Sequence, residues 1–245
     1  MLFFVLGLGS YAVVELGFLG TWSAELRWAF VARIALLLMA VPALICLGRP
    51  LDLLRAGLSD AARQRLDAAL DGRVFRVLGN AMFATVFVAA IFCVFLTPLA
   101  GVLRTSPLIG EALGLVSLVV GLLLVVPLMA LTGNHTSTFL AVEFLLAFVE
   151  LVIDSIPGIL LRLNDTVVDG VAAAAGAAWW PNPLHDQHLA GDLLWFIAEV
   201  ADVPILIILL VRWGRRDRVE AAGYDALTDE EHDALVQEHL RGSRG

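Results

Sequence analysis

The residues best suited to chemistry crowd into one stretch of this 245-residue chain. Between Trp179 and Pro204, WWPNPLHDQHLAGDLLWFIAEVADVP, the side chains of His185, Asp186, His188 and Asp192 lead into an apolar run that itself carries Glu199 and Asp202. Ionisable groups placed deep in an apolar segment mark function more often than packing, because a charge is costly to keep there. Carboxylates suit protons and hard cations, and imidazole suits transition metals. The soft donors elsewhere are few: Cys46, Cys93, Met39, Met82, Met129 and His135. His185 and His188, three apart, share a face if that part is helical; the plainer reading is a pair of solvent-facing loop histidines. No HExxH, CxxC or paired Cys/His motif accompanies them.

Composition says what must position these groups. The chain is 60% hydrophobic and only 16% charged, with a mean hydropathy of +0.86. Soluble domains are nearer half apolar and a quarter charged, so this is an all-α, polytopic membrane bundle with no room for a second large domain. Both cysteines lie in apolar runs, which gives a secreted disulfide framework no basis. All 16 basic residues are arginine, and no basic stripe stands apart from the ends of the apolar runs, so nucleic acid is not a partner.

About six spans are expected, over residues 2–20, 28–47, 78–99, 109–131, 138–161 and 193–213, each near the roughly 20 residues that cross a bilayer. The first is read as a retained span, since no clean small-x-small cleavage site follows it. Residues 49–76 hold six arginines and read as an amphipathic helix lying on the membrane, started at Ser59. Its arginine excess, and that of Arg212, Arg215, Arg216 and Arg218, place both segments and both termini in the cytoplasm. Only Arg27, Arg33, Arg104 and Arg162 then fall on or near the outer side. On the fourth span Gly110, Gly114, Ser117 and Gly121 share a small-residue face for close packing. Pro157 is expected to kink the fifth. Between the last two spans lies a long loop whose alanine-rich part, 167–180, reads as interfacial or re-entrant. The domain division is 1–213 in the membrane and 214–245 as a polar tail, in which Thr228 and Glu231 form a capping box.

That topology gathers the buried charges. Glu143, Glu150 and Asp154 share one face of the fifth span, and Glu199 and Asp202 share one of the sixth. With Glu15 and Arg33 they make a polar pocket opening outward, roofed by the loop that holds His185, Asp186 and His188. The plainer alternative is that Arg33 pairs with two carboxylates, the rest hold protons, and the whole serves helix packing. Copper(I) favours soft donors, and those with a path to the pocket are His185, His188, Cys93 and Met39. Nothing supports nucleophilic catalysis or phosphate binding: there is no GxSxG and no P-loop. The chain is not read as an enzyme.

The run DQHLAGDLLWFIAEVADVPILIILLVRWGRRDR, Asp186 to Arg218, resembles the closing segment of the integral-membrane CtaG family of cytochrome c oxidase assembly factors, especially its actinobacterial branch. The matching positions are Asp186, Gln187, Ala190, Gly191, Trp195, Glu199, Pro204, Trp213 and Arg216 to Arg218. LLLMAVPALICLGRPLDLLR, Leu36 to Arg55, resembles the family's Leu/Met-rich span and Gly-x-Pro turn, and FLTPLAG, Phe95 to Gly101, is a weaker match. The resemblance implies a role in oxidase biogenesis or copper handling at the outer face of a bacterial plasma membrane. An oxidase subunit or a copper-handling protein is the implied partner. This chain departs from the family at its histidines: the His-Met-x-x-His motif aligns on Phe30 and Ile34, the fourth span has none, and a further family histidine aligns near Asp154. Two other classes remain open, a metal-independent partner in a membrane complex and a small-solute or proton-coupled carrier.

Overall fold

In a computed structural model, residues 2–70, 72–78, 80–130, 137–170, 180 and 182–225 are described. They form helices α1 (Leu2–Leu16), α2 (Phe18–Trp22), α3 (Arg27–Ala35), α4 (Val41–Leu47), α5 (Pro50–Gly57), α6 (Asp60–Leu70), α7 (Arg73–Leu78), α8 (Ala81–Val94), α9 (Leu99–Thr105), α10 (Pro107–Ala130), α11 (Ser137–Leu163) and α12 (Pro183–Asp225), with a π turn, Leu36–Ala40, joining α3 to α4. No strand occurs among the described residues. The all-α expectation therefore holds.

Among the described residues four helical stretches are long and apolar enough to cross a membrane: Leu2–Trp22, Arg27–Leu47, Pro107–Val126 and Ser137–Leu163. A fifth counts if Phe83–Val94 and Leu99–Thr105, bent by 79° at their junction, are taken together. The expected unbroken span 78–99 is thus corrected. The chain turns after Val94, where Pro98 lacks the amide a continuing helix needs, and starts afresh in α9. The sixth expected span, 193–213, lies within the 43-residue α12. The count of six is therefore approximate.

Two further expectations change in detail. α6 begins at Asp60, next to the expected start at Ser59, but residues 49–76 also hold α5, which ends at the extended Leu58 (ψ 148°), and the start of α7. The doorway residues His185 to Asp192, expected in a loop, make the first turns of α12; Asn182 caps them, its Oδ1 accepting from the Leu184 and His185 amides at 3.0 Å each. α12 runs without a break through residue 213 to Asp225. The capping box at Thr228 and most of the alanine-rich stretch, 171–179, lie outside the described residues.

The stretch from α3 through the π turn is the packing axis. Ala29 through Ala35 are all buried, and Phe30, Ile34 and Leu38 meet Phe92, Leu161 and Leu194 in the main core. Apolar side chains also cover the outside, as at Val13, Leu108 and Phe196, the distribution a helix facing lipid requires. The helices are held by close approach at small residues. α11 and α12 run antiparallel, and a Cβ on Gly158 would come within 2.8 Å of both the Gly191 carbonyl oxygen and the Trp195 amide. That contact sets the carboxylate-bearing faces of the two helices against each other.

Candidate functional site: three buried polar layers

At the end of the bundle where α3 begins, Leu26 precedes the helix and has no side chain able to cap it. Asp186, reaching across from α12, does so instead. Its Oδ2 accepts from the Arg27 amide at 2.8 Å and its Oδ1 from the Trp28 amide at 3.1 Å. A carboxylate there satisfies two orphan amides and meets the positive end of the helix dipole. Burial pushes the Asp186 carboxyl up from its ordinary value, opposed by those two amide bonds and by the charges of Arg27 and Arg104.

Gln187, next in sequence, is fully buried and is the hub of the layer. Its Oε1 accepts from Arg27 Nη1 at 2.7 Å and from the Val168 amide at 2.9 Å, while its Nε2 donates to the Thr166 carbonyl at 2.8 Å and the Asn164 carbonyl at 3.3 Å. Residues Asn164 to Val168, which follow α11, are thereby tied down through their backbone. Asp169 adds the charge balance. Its Oδ2 accepts from Arg27 Nε at 2.9 Å and from Arg104 Nη2 at 3.1 Å, and its Oδ1 pairs with Arg27 Nη2. Arg104 also donates to the Ala24 carbonyl at 2.6 Å. Arg27, Arg104 and Asp169 are each no more than 3% exposed. They were not among the expected site residues, although Arg27 and Arg104 stand out in the sequence as arginines on the side where arginine is scarce.

One turn and a half deeper, Arg33 meets Glu15 of α1 and not the carboxylates of α11 or α12. Arg33 Nε donates to Glu15 Oε2 at 2.9 Å, Nη2 donates to Oε1, and Nη1 donates to Ser23 Oγ at 3.1 Å. The fork-to-fork geometry is the strong form of this pair. α10 lies directly over it at Gly114, where a Cβ would stand 2.7 Å from Arg33 Nη2 and from Glu15 Oε2. The small-residue face of α10 therefore makes room for an ion pair as well as for a helix. The single pocket expected from the sequence is divided, with Glu15 and Arg33 in a layer of their own.

The third layer lies between α11 and α12. Asp154 senses both Asp202 and Glu150, and Asp202 senses Glu150 and Glu199. Glu199 Oε1 accepts from Trp195 Nε1 at 3.1 Å and lies 3.2 Å from the Ser155 hydroxyl; Thr85 of α8 bonds Glu150. The expected facing of the two acidic helix faces is present, with Trp195 as a donor to it. The copper donors, by contrast, are dispersed. His185 is exposed and packs against the Trp180 ring at 5.4 Å. His188 holds its Nε2 3.2 Å from the Asn164 carbonyl. Cys93 is exposed, and Met39 packs against the main core. Among the described residues no three histidine, cysteine or carboxylate side chains come together as a metal site. A soft-donor copper cage does not fit this arrangement.

The family model for the cytochrome c oxidase caa3 assembly factor (Caa3_CtaG) matches residues 1–216. The chain belongs to that family. Phe30 and Ile34, which stand where the resemblance sets histidines, are 1% and 2% exposed in the Caa3_CtaG core of this chain, with Phe30 edge-on to Phe95 at 5.8 Å. The chain is also similar to "Uncharacterized protein Mb0105" of Mycobacterium bovis and "Uncharacterized protein MT0111" of Mycobacterium tuberculosis, each 27% identical over 203 residues, covering 79% of this chain and 31% of the relative. It spans about a third of the length of those relatives. No solved structure matches.

Proposed function

We propose that this chain supports maturation of a cytochrome c oxidase from within the membrane, acting as a protein partner at the end of the bundle built by Arg27, Asp169, Asp186 and Gln187. One observation carries the reading. Asp186 and Gln187, which lead the stretch that resembles the family, are buried at the centre of the polar network at that end. Such a network fixes the shape of one face of a bundle, which is what recognition of a folding partner needs. The arginine distribution supports an outer position for this face.

Copper handling, which the resemblance also implies, would fall to His185 and His188, with Cys93 and Met39 as the remaining donors. The proposed role does not depend on it. Affinity purification of the full chain from its native membranes tests both parts. Oxidase core subunits should co-purify, with copper at background after copper(I) loading. A chain that comes down alone would remove the partner reading, and stoichiometric copper lost on changing His185 or His188 would restore the carrier of copper in its place.

A further inference from the structure

We propose that the facing carboxylates of α11 and α12 form a proton-binding site inside the bundle, centred on Asp154 and Asp202. The acids that face one another are Glu150 and Asp154 from α11 and Glu199 and Asp202 from α12. Asp154 is 1% exposed. Its Oδ1, and Oδ2 of Asp202, are buried and have no hydrogen-bond partner among the described residues. The donors in reach serve the other two acids: Thr85 of α8 bonds Glu150, and Trp195 Nε1 bonds Glu199.

The neighbouring positive charges are committed elsewhere. α3 packs along α12, and its two arginines go to Asp169 with Gln187 and to Glu15 with Ser23. Arg162, at the end of α11, pairs with Asp192 at 3.1 Å. A buried carboxylate oxygen with neither donor nor counter-charge is held at heavy cost. Nor do the described acids converge as metal ligands. A proton meets the need directly. Each uptake takes one proton from water, removes one negative charge, and creates an O–H that can donate to the acid opposite.

The test uses the full chain in lipid nanodiscs and reads the infrared carbonyl stretch of un-ionised carboxylic acid. At pH 7 the wild type should show this band, it should be lost when the pH is raised far enough, and it should be weakened in Asp154→Asn and in Asp202→Asn. Glu220→Gln, at the opposite end of α11, should leave it unchanged. If the asparagine variants do not fold, the wild-type titration decides alone. Absence of the band at pH 7 would overturn the proposal, as would stoichiometric uptake of magnesium, calcium or manganese that suppresses it.

Discussion

Gln187 uses its whole amide to hold a turn of loop backbone and one arginine, so its loss strands several buried partners at once. Each buried group left unpaired costs about 1–3 kcal/mol. Gln187→Leu should therefore destabilise the chain by at least about 3 kcal/mol in thermal unfolding, on the conservative assumption that three groups are stranded and each costs the minimum. Gln187→Glu, which keeps an acceptor toward Arg27 but loses the donors to Thr166 and Asn164, should cost less. Glu15→Gln should be severe in a different way. It leaves Arg33 as a buried charge without its partner, a change worth about 3–5 kcal/mol. Equal stability of Glu15→Gln and wild type would mean that Arg33 is solvated. These roles were only half legible beforehand. Glu15 and Arg33 were singled out by depth, and Asp186 and Gln187 by the family resemblance, but nothing in the spacing said that Arg33 would choose an acid 18 residues back instead of one on a distant helix. Asp169 stood in a loop and drew no notice, because a loop aspartate becomes a buried counter-ion only through tertiary contact.

At the scale of elements, the α11–α12 pairing depends on Gly158 and Gly191 lying against each other. A larger residue at either must push the helices apart, and overpacking of this kind costs about 1–3 kcal/mol. Gly158→Val should lower the unfolding midpoint and weaken the contact between Ser155 and Glu199, while Gly57→Ala, where the space is open, should be neutral. The far end of the same pair is closed by Glu220, which accepts from the Ser137 amide at 3.1 Å at the start of α11. The Ser137 side-chain and amide bonds, with Arg216, hold the Glu220 carboxyl below its ordinary value of 4.5. A lowered carboxyl value means stability that is complete above 4.5 and is lost as the pH falls through the folded value. Wild type should thus lose part of its advantage over Glu220→Gln below pH 4.5, by thermal melts across pH. The helices themselves were readable from hydropathy, since a run of apolar residues leaves few other options in lipid. Their interruptions were less so: the bend after Val94 and the break between α5 and α6 turn on single backbone positions, and the start of α12 at Pro183 on a cap by Asn182.

For the whole molecule, the account requires the arginine-rich α5–α7 segment and the Arg212 to Arg218 stretch on one side of the membrane, and the Arg27–Asp169–Gln187 layer toward the other. With Cys46 and Cys93 replaced by alanine, single cysteines at Arg65 and Asn182, both exposed, should react with an impermeant thiol reagent from opposite faces. Reaction from the same face would reverse the expected topology. The all-α class and the family followed from composition and from a few ordered motifs, whereas the partition of one expected pocket into three layers needed the fold. The central claim, that this chain serves oxidase maturation, is tested most directly by the amount of assembled cytochrome c oxidase in membranes of a strain lacking it. The account predicts that oxidase activity and core-subunit content fall together and return with the wild-type chain. Full oxidase activity in the deletion strain, under growth conditions in which the chain is normally present, would contradict it.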